Sequence, residues 1–321
     1  MGVEIKKPTA DAIALAARAL ATGGLVAIPT ETVYGLAAAA ENEQAVRRMY
    51  AAKGRPADHP VIVHIASRDQ LPHWAKNVPD YAEKLMQSFW PGPMTLVLAR
   101  TARAQDFITG GQDTVAVRVP NHPVTLELLQ EYEKQGGKGL VAPSANRFGG
   151  VSPTSASDVL SELAAELQES DLILDGGECR VGIESTIIDC TGPKPLILRP
   201  GFITAEMIEK SCGVSTEVPT VKSIRVSGSH TRHYSPKAQV FVDAKPQPGD
   251  GLIALANVAS PTDVVRLASP ANLEEFATEL YAALRRADAL GLERVHVVLP
   301  EGEGLAIALR DRILRSAARG D

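Results

Sequence analysis

The stretch TADAIALAARALATGGLVAIPTETVYGL, residues 9–36, carries the reading of the fold. Thr9 offers a side-chain oxygen to cap a helix, apolar positions recur at helical spacing to about Leu20, and Gly23-Gly24 stops the run. Leu25 to Ile28 is a short apolar strand that runs into Pro29-Thr30. The same alternation continues downstream. Asn42 opens a second helix, and strands are expected at 61–65, 95–98, 115–119, 140–142, 172–174, 186–189 and 196–198. Helices are expected at about 80–88, 123–133 and 156–167. This mixture predicts an α/β or α+β domain with a large, partly antiparallel sheet over residues 1–212.

The character changes after Cys212. Residues 213–237 hold Gly, Pro, Ser and Thr without a sustained apolar period, which reads as a linker. Its charge is basic: Glu217 stands against Lys222, Arg225, Arg232 and Lys237. From 238 to 321 a smaller α/β unit is expected, with strands at 239–242, 251–255 and 294–299, a long helix at 271–290 and a closing helix from about 305.

Composition bounds the function. The chain has 321 residues, 45% hydrophobic and 22% charged, which is too apolar for a disordered protein. Lys plus Arg is 33 and Asp plus Glu is 38, so the net charge of −5 speaks against autonomous nucleic-acid binding by bulk positive charge. Any basic site must be local. Cys179, Cys190 and Cys212 are odd in number and form no Cys-x-x-Cys pair, so neither a zinc site nor a disulfide framework is expected. The N-terminal residues lack an apolar h-region, and Ala19 to Thr30 is too short to span a bilayer. A soluble, cytoplasmic protein without a membrane partner is expected.

Common nucleotide and hydrolase signatures are missing. There is no P-loop, no Gly-x-Gly-x-x-Gly opening a helix, no His-Glu-x-x-His and no Gly-x-Ser-x-Gly. Five other segments place small polar and basic residues just beyond apolar strands, where α/β domains build sites. They are 29–35, with Thr32; 53–56, with Lys53 and Arg55, followed by His59 and His64; 114–118, with Thr114 and Arg118; 142–146, with Ser144 and Asn146, leading to Ser152; and 182–186, with Ser185, followed by Arg199. Each has a plainer alternative. Lys53 and Arg55 suit the end of a helix, Ser144 and Asn146 suit a turn, and His64 suits a core histidine. Arg118 within an apolar strand needs an anionic or acceptor partner, and Glu184 is the candidate for a structural ion pair. Trp90-Pro91-Gly92-Pro93 reads as a rigid turn. Taken together, the cations and hydroxyls match the needs of polyphosphate recognition, and no protein nucleophile with an adjacent base is visible. Such chemistry rests on positioning and charge stabilisation.

PTETVYGL at 29–36, KGRP at 53–56, PGPMT at 91–95, VRVP at 117–120, PSAN at 143–146 and ESTIID at 184–189 resemble the YrdC-like family, and HYSP at 233–236 with a second domain resembles its longer form. The resemblance implies an open, twisted mixed sheet with helices, plus a small C-terminal α/β domain. It implies a nucleotidyltransferase that joins L-threonine, bicarbonate or CO2, and ATP into threonylcarbamoyl-adenylate and pyrophosphate, with Mg2+ accompanying ATP. A separate complex would transfer the threonylcarbamoyl group to tRNA. Carried over by motif, L-threonine would meet Thr32, His64, Arg118, the backbone of Ala142, and Ser185. ATP would fall to Lys53, Arg55, His59, Thr114, Ser144, Asn146, Ser152, Arg199 and Tyr234, with Lys53 and Arg55 as the catalytic cations. His59 stands where the family commonly has Lys or Asn, and the linker lacks the aromatic usual upstream of its His-Tyr pair. Tyr234 is expected to close over the nucleotide. Two other readings belong to the same fold: an RNA-binding module, and a carbamoyl-transfer domain of hydrogenase maturation. The latter carries zinc-binding parts that a chain without Cys-x-x-Cys lacks.

Overall fold

The structure is a computed structural model and describes residues 2–217, 224–228 and 233–318. Eleven strands form the larger sheet: β1 (Glu4–Lys6), β2 (Val26–Ile28), β3 (Gly35–Ala39), β4 (Ile62–His64), β5 (Ala75–Lys76), β6 (Met94–Arg100), β7 (Thr114–Arg118), β8 (Leu140–Val141), β9 (Leu172–Leu174), β10 (Thr186–Asp189) and β11 (Leu196–Arg199). Their spatial order is β1-β9-β2-β3-β8-β4-β7-β6-β10-β11, with β5 on β6. The pairing is mixed: β2 lies parallel to β9 but antiparallel to β3, and β4 lies parallel to β7 but antiparallel to β8.

Helices cover both faces, and the strands read accordingly. Val26 and Ile28 face α1 (Ala10–Ala21) and the later helix at Pro123–Lys134, while Leu25 and Ala27 join the core on the other side. A strand buried on both faces shows a continuous apolar run rather than alternation, as residues 25–28 do. Thr9 caps α1 by accepting from the Ala12 N–H, and Asn42 caps α2 (Glu43–Lys53) by accepting from Ala45. The remaining helices are α3 (Leu71–Trp74), α4 (Asp80–Phe89), α5 (Asp106–Thr109), α6 (Pro123–Lys134), α7 (Ala156–Leu163) and α8 (Ala205–Cys212).

The second sheet is wholly parallel. It contains β12 (Gln239–Val242), β13 (Gly251–Ile253), β14 (Val265–Ala268) and β15 (Arg294–Val297) in the order β12-β15-β13-β14, covered by α9 (Leu273–Ala289) and α10 (Leu305–Ala317). Its core does not end at its own boundary. Val33, Val151, Ile183 and Tyr234 are packed into the same apolar cluster as Phe276, Leu280, Tyr281 and Ile313. Among the described residues no helix is long and apolar enough to cross a membrane.

Several elements lie outside the sequence-based expectation. β3 (GLAAA) sits mid-sheet and fully buried, yet alanine carries little strand preference, so only its neighbours dictate its conformation. β1 exposes Glu4 and Ile5, and α8 buries only Ile208 and Cys212. The helix expected to reach 167 ends at Leu163. Of the linker, Val226 is buried against Ile62, Val97 and Ile187, and Gln112 exchanges two hydrogen bonds with the Arg225 backbone at 3.0 and 2.7 Å. The expectations placed on Lys222 and Arg232 fall outside the described residues.

The loop that enters β10 touches α9 closely. Gly182 has φ +75°, and a Cβ there would fall 2.3 Å from the Ala277 carbonyl oxygen. Gly213 has a similar φ of +73° with open space around it. Gly182→Ala is therefore expected to lower stability by about 2–4 kcal/mol through strain plus overpacking. Gly213→Ala should lose only about 1 kcal/mol from strain. Urea unfolding of both variants checks this; equal losses would show that the α9 contact has slack.

Candidate active site

The parallel register of β4 and β7 sets His64 beside Arg118, at the ends of two neighbouring strands. Both side chains are buried. Arg118 is held by hydrogen bonds at two of its nitrogens, Nε donating to the Gly92 carbonyl at 3.2 Å and Nη1 to Thr32 Oγ1 at 3.0 Å, while Nη2 forms an ion pair 2.7 Å from Glu31 Oε1 without hydrogen-bond alignment. The Gly92 carbonyl comes from the 90–93 turn, so that turn buttresses the site. Thr30 gives its proton to the Val33 carbonyl at 2.6 Å, so in the Thr30–Thr32 pair at 2.8 Å Thr32 is the donor. That leaves the Thr32 oxygen to accept from Arg118. The turn after β2 thus orients the guanidinium by a chain of hydroxyls.

Ser185 forms the opposite wall. Its Oγ pairs with Thr95 Oγ1 at 2.8 Å, and its carbonyl accepts from Arg199 Nε and Nη2 at 3.1 and 2.9 Å. Arg199 Nη1 donates to the Ser227 carbonyl at 3.0 Å, and Arg55 Nη2 donates to the Pro60 carbonyl at 2.8 Å. The bridge between Gly35 and Ser144 brings the Ala142–Ser144 segment alongside. Ser227, Gly228, His233 and Tyr234 of the linker cover the space between, completing one narrow cavity. Gly228 has φ +79°, and a Cβ there would meet Tyr234 Oη at 2.8 Å and Arg199 Nη1 at 3.1 Å.

A wider groove lies elsewhere, lined by Tyr50, Arg100, Asp106 and their neighbours. Its Arg100 is already paired with Asp106 at 2.7 Å, and none of the residues expected in the site line it.

The family model described as telomere recombination matches residues 18–201, and the model described as the C-terminal domain of threonylcarbamoyl-AMP synthase matches residues 203–318. The chain is 41% identical over 329 residues to threonylcarbamoyl-AMP synthase of Pyrococcus abyssi, covering 95% of this chain and 94% of the relative. It is 37% identical to the Bacillus subtilis protein of that name, covering 95% and 92%. The crystal structure of P. abyssi Sua5 complexed with L-threonine superposes with a TM-score of 0.88 at 38% identity, covering 98% of both chains. The chain belongs to the threonylcarbamoyl-AMP synthase family. A likeness to full-length HypF at 20% identity covers 28% of that chain and concerns the fold alone.

Of the residues that the family motifs single out, the structure gathers Thr32, Arg55, His64, Arg118, Ala142, Ser144, Ser185, Arg199 and Tyr234 around the cavity. Lys53, His59, Thr114, Asn146 and Ser152 are not among its lining residues. Lys53 is buried behind the wall and donates to the Ser144 and Asn146 carbonyls. Asn146 Nδ2 donates to the Arg147 and Gly150 carbonyls, and Thr114 lies beneath the linker beside Val226. The His59 carbonyl accepts from Tyr50 Oη at 2.7 Å. Glu184 does not pair with Arg118; Glu31 takes that place, because the turn at 29–32 and the end of β7 meet directly. Glu184 binds Arg312 instead, at 3.0 Å. Glu31, Ser227, Gly228 and His233 were not singled out by the sequence as site residues. Glu31 sits inside a motif that was, but an acid between two threonines gives no sign of which arginine it meets.

Burial sets the electrostatics. His64 is pushed down to about 3 by burial and then by Arg118, so it is neutral at neutral pH. Its Nδ1 is buried without a hydrogen-bond partner. His233 is also pushed down to about 3, first by burial. Tyr234 is pushed up to about 12 by burial and the nearby Glu184. Arg55 and Arg199 are lowered, chiefly by burial.

The two histidines make a pH signature. The unfolded chain binds their protons near pH 6.5, whereas the folded one does so near 3. Their contribution to stability is whole above pH 6.5 and is lost as pH falls toward 3. The pair adds a slope of about 2.7 kcal/mol per pH unit within that window. Urea unfolding between pH 7 and pH 5 should show it, and His64→Asn should remove about half. A His64→Asn profile parallel to wild type would contradict the buried neutral imidazole.

Proposed function

We propose that the cavity binds L-threonine and ATP and forms threonylcarbamoyl-adenylate and pyrophosphate, the adenylate then serving a separate tRNA-modifying complex. The observation that carries this reading is an excess of buried positive charge. Arg55, Arg118 and Arg199 line the cavity and are buried; Lys53 behind them does not add to the excess, because burial and then Arg55 hold its pKa well below the usual range. Glu31 occupies one edge of Arg118, and Glu184 is engaged by Arg312. Buried guanidinium groups beyond the number of carboxylates call for an anionic ligand.

In this reading the threonine carboxylate takes the guanidinium of Arg118, a group suited to a planar two-oxygen partner. The neutral His64, with Nδ1 unpartnered, is placed to meet the substrate's polar groups. The amine loses a proton and captures CO2 as a carbamate. A carbamate oxygen attacks the α-phosphorus of ATP, a new P–O bond forms, and the bond to the β-phosphate oxygen breaks as pyrophosphate leaves. Arg55 and Arg199 neutralise the phosphoryl oxygens in the water-poor space beneath Tyr234. Lys53 acts from behind by holding the Ser144 and Asn146 carbonyls. No protein nucleophile is needed: the three cysteines are buried, and burial raises the thiol pKa of Cys179 and Cys190. Among the described residues no three His, Cys, Asp or Glu side chains converge on a common point for an ion. Magnesium would enter as the counter-ion of the ATP phosphates.

Purified protein with ATP and magnesium, supplied with or without L-threonine and bicarbonate, tests the reading. Pyrophosphate release that requires both co-substrates is expected, together with a new adenylate on chromatography. Release with neither, or none with both, would refute it. Arg118→Lys retains a cation for Glu31 but loses the fork. It should raise the KM for L-threonine by roughly 10–100-fold, the worth of one charge-assisted hydrogen bond. An unchanged KM would remove Arg118 from the threonine subsite.

A further inference from the structure

The small domain reaches the cavity wall at one carboxylate. Glu184 is buried immediately before Ser185, and three donors close on it. Ser152 Oγ donates to Oε1 at 2.6 Å, while Tyr281 Oη and Arg312 Nε donate to Oε2 at 2.7 and 3.0 Å. The last two come from α9 and α10. Arg312 is fully buried, and its Nη2 also donates to the Pro200 carbonyl at 2.9 Å, next to Arg199. One guanidinium therefore grips both the residue before Ser185 and the residue after Arg199. The same two side chains touch the linker: the Tyr281 ring stacks on Tyr234 at 5.4 Å, and Arg312 lies 5.5 Å from the Tyr234 ring centroid.

We propose that Tyr281 and Arg312 are positioning residues through which the small domain sets Ser185, Arg199 and Tyr234. Its bearing on catalysis rests on the reading that this cavity takes L-threonine and ATP. The physical basis is competition between cations. Burial opposes the charge of Glu184, and Arg312 and then Arg199 overcome it, holding its pKa at about 2. A charged, buried Glu184 that loses a donor from the small domain turns toward Arg199, the other buried guanidinium in reach. Arg199 then leaves the Ser185 carbonyl, and the wall loosens without unfolding.

Two conservative variants of the full chain separate this role from simple support. Tyr281→Phe keeps the ring and removes one hydroxyl; Arg312→Lys keeps the charge and removes the fork. Calorimetric titration with L-threonine, well below the unfolding temperature, should show each weakened roughly tenfold, the scale of one hydrogen bond to a charged group. In a Glu184→Gln background, Tyr281→Phe should add little, because both act through the same carboxylate. Val295→Ala, a core truncation in a strand of the small sheet that touches neither Glu184 nor its donors by hydrogen bond, should lower Tm while leaving the affinity unchanged. Wild-type affinity in both interface variants, or fully additive effects with Glu184→Gln, would overturn the proposal. Amide hydrogen exchange decides it without a ligand. Faster exchange at 184–186 and 199–201 in Tyr281→Phe than in Val295→Ala supports positioning, and equal exchange refutes it. A wild-type protein that does not bind L-threonine would refute the functional reading alone, since the exchange result stands independently.

Discussion

Buried positive charge is the constraint around which this molecule is organised. Arg55, Arg118, Arg199 and Arg312 lie inside the protein; Glu31 and Glu184 are the buried carboxylates among them, Asp311 pairs with Arg312 at 2.6 Å, and burial holds the Lys53 ammonium well below its usual pKa range. Removing a guanidinium from water costs several kcal/mol even after relaxation, so each must be met by acceptors. The fold does this with carbonyls: Gly92 for Arg118, Ser185 and Ser227 for Arg199, Pro60 for Arg55 and Pro200 for Arg312. Carbonyl dipoles satisfy hydrogen bonds but leave net charge uncompensated. The result is a cavity whose preferred occupant is anionic, which an amino-acid carboxylate and a polyphosphate both satisfy.

The sheet topology makes this arrangement feasible. Placing β4 parallel to β7 sets His64 beside Arg118, while β8, antiparallel on the far side of β4, runs back so that Ala142 lies beside Ile62 and the Ala142–Ser144 segment lines the same cavity from the other end of β4. The chain then returns through β10 and β11 on the other side of β6, so Ser185 and Arg199 face the first group across the cavity. The small domain closes the rear. Its apolar core continues into Val33, Val151, Ile183 and Tyr234, which fixes α9 and α10 against the wall they support.

Much of this is legible in the sequence, for identifiable reasons. Strands with branched apolar residues, such as 61–65 and 186–189, announce themselves, and the caps at Thr9 and Asn42 mark their helices. Arg118 stands out because a charge within an apolar strand demands an explanation. Glu184 stands out too, yet its partner does not: Arg312 lies 128 residues away, and no local pattern in α10 distinguishes it from Arg310 or Arg315. The alanine strand β3 escapes notice because its conformation is imposed by β2 and β8. The position of Lys53 is equally hidden, since a lysine after a helix reads as solvent-facing until the 144–146 turn is folded over it.

The central claim is that this cavity is an anion-seeking site with Arg118 as its carboxylate receptor. A crystal structure of the protein grown with L-threonine and a non-hydrolysable ATP analogue tests it most directly. The account predicts the threonine carboxylate on Arg118 and the phosphates within reach of Arg55 and Arg199. Threonine bound away from Arg118, or phosphates bound outside the cavity with Arg55 and Arg199 still on their carbonyls, would contradict it.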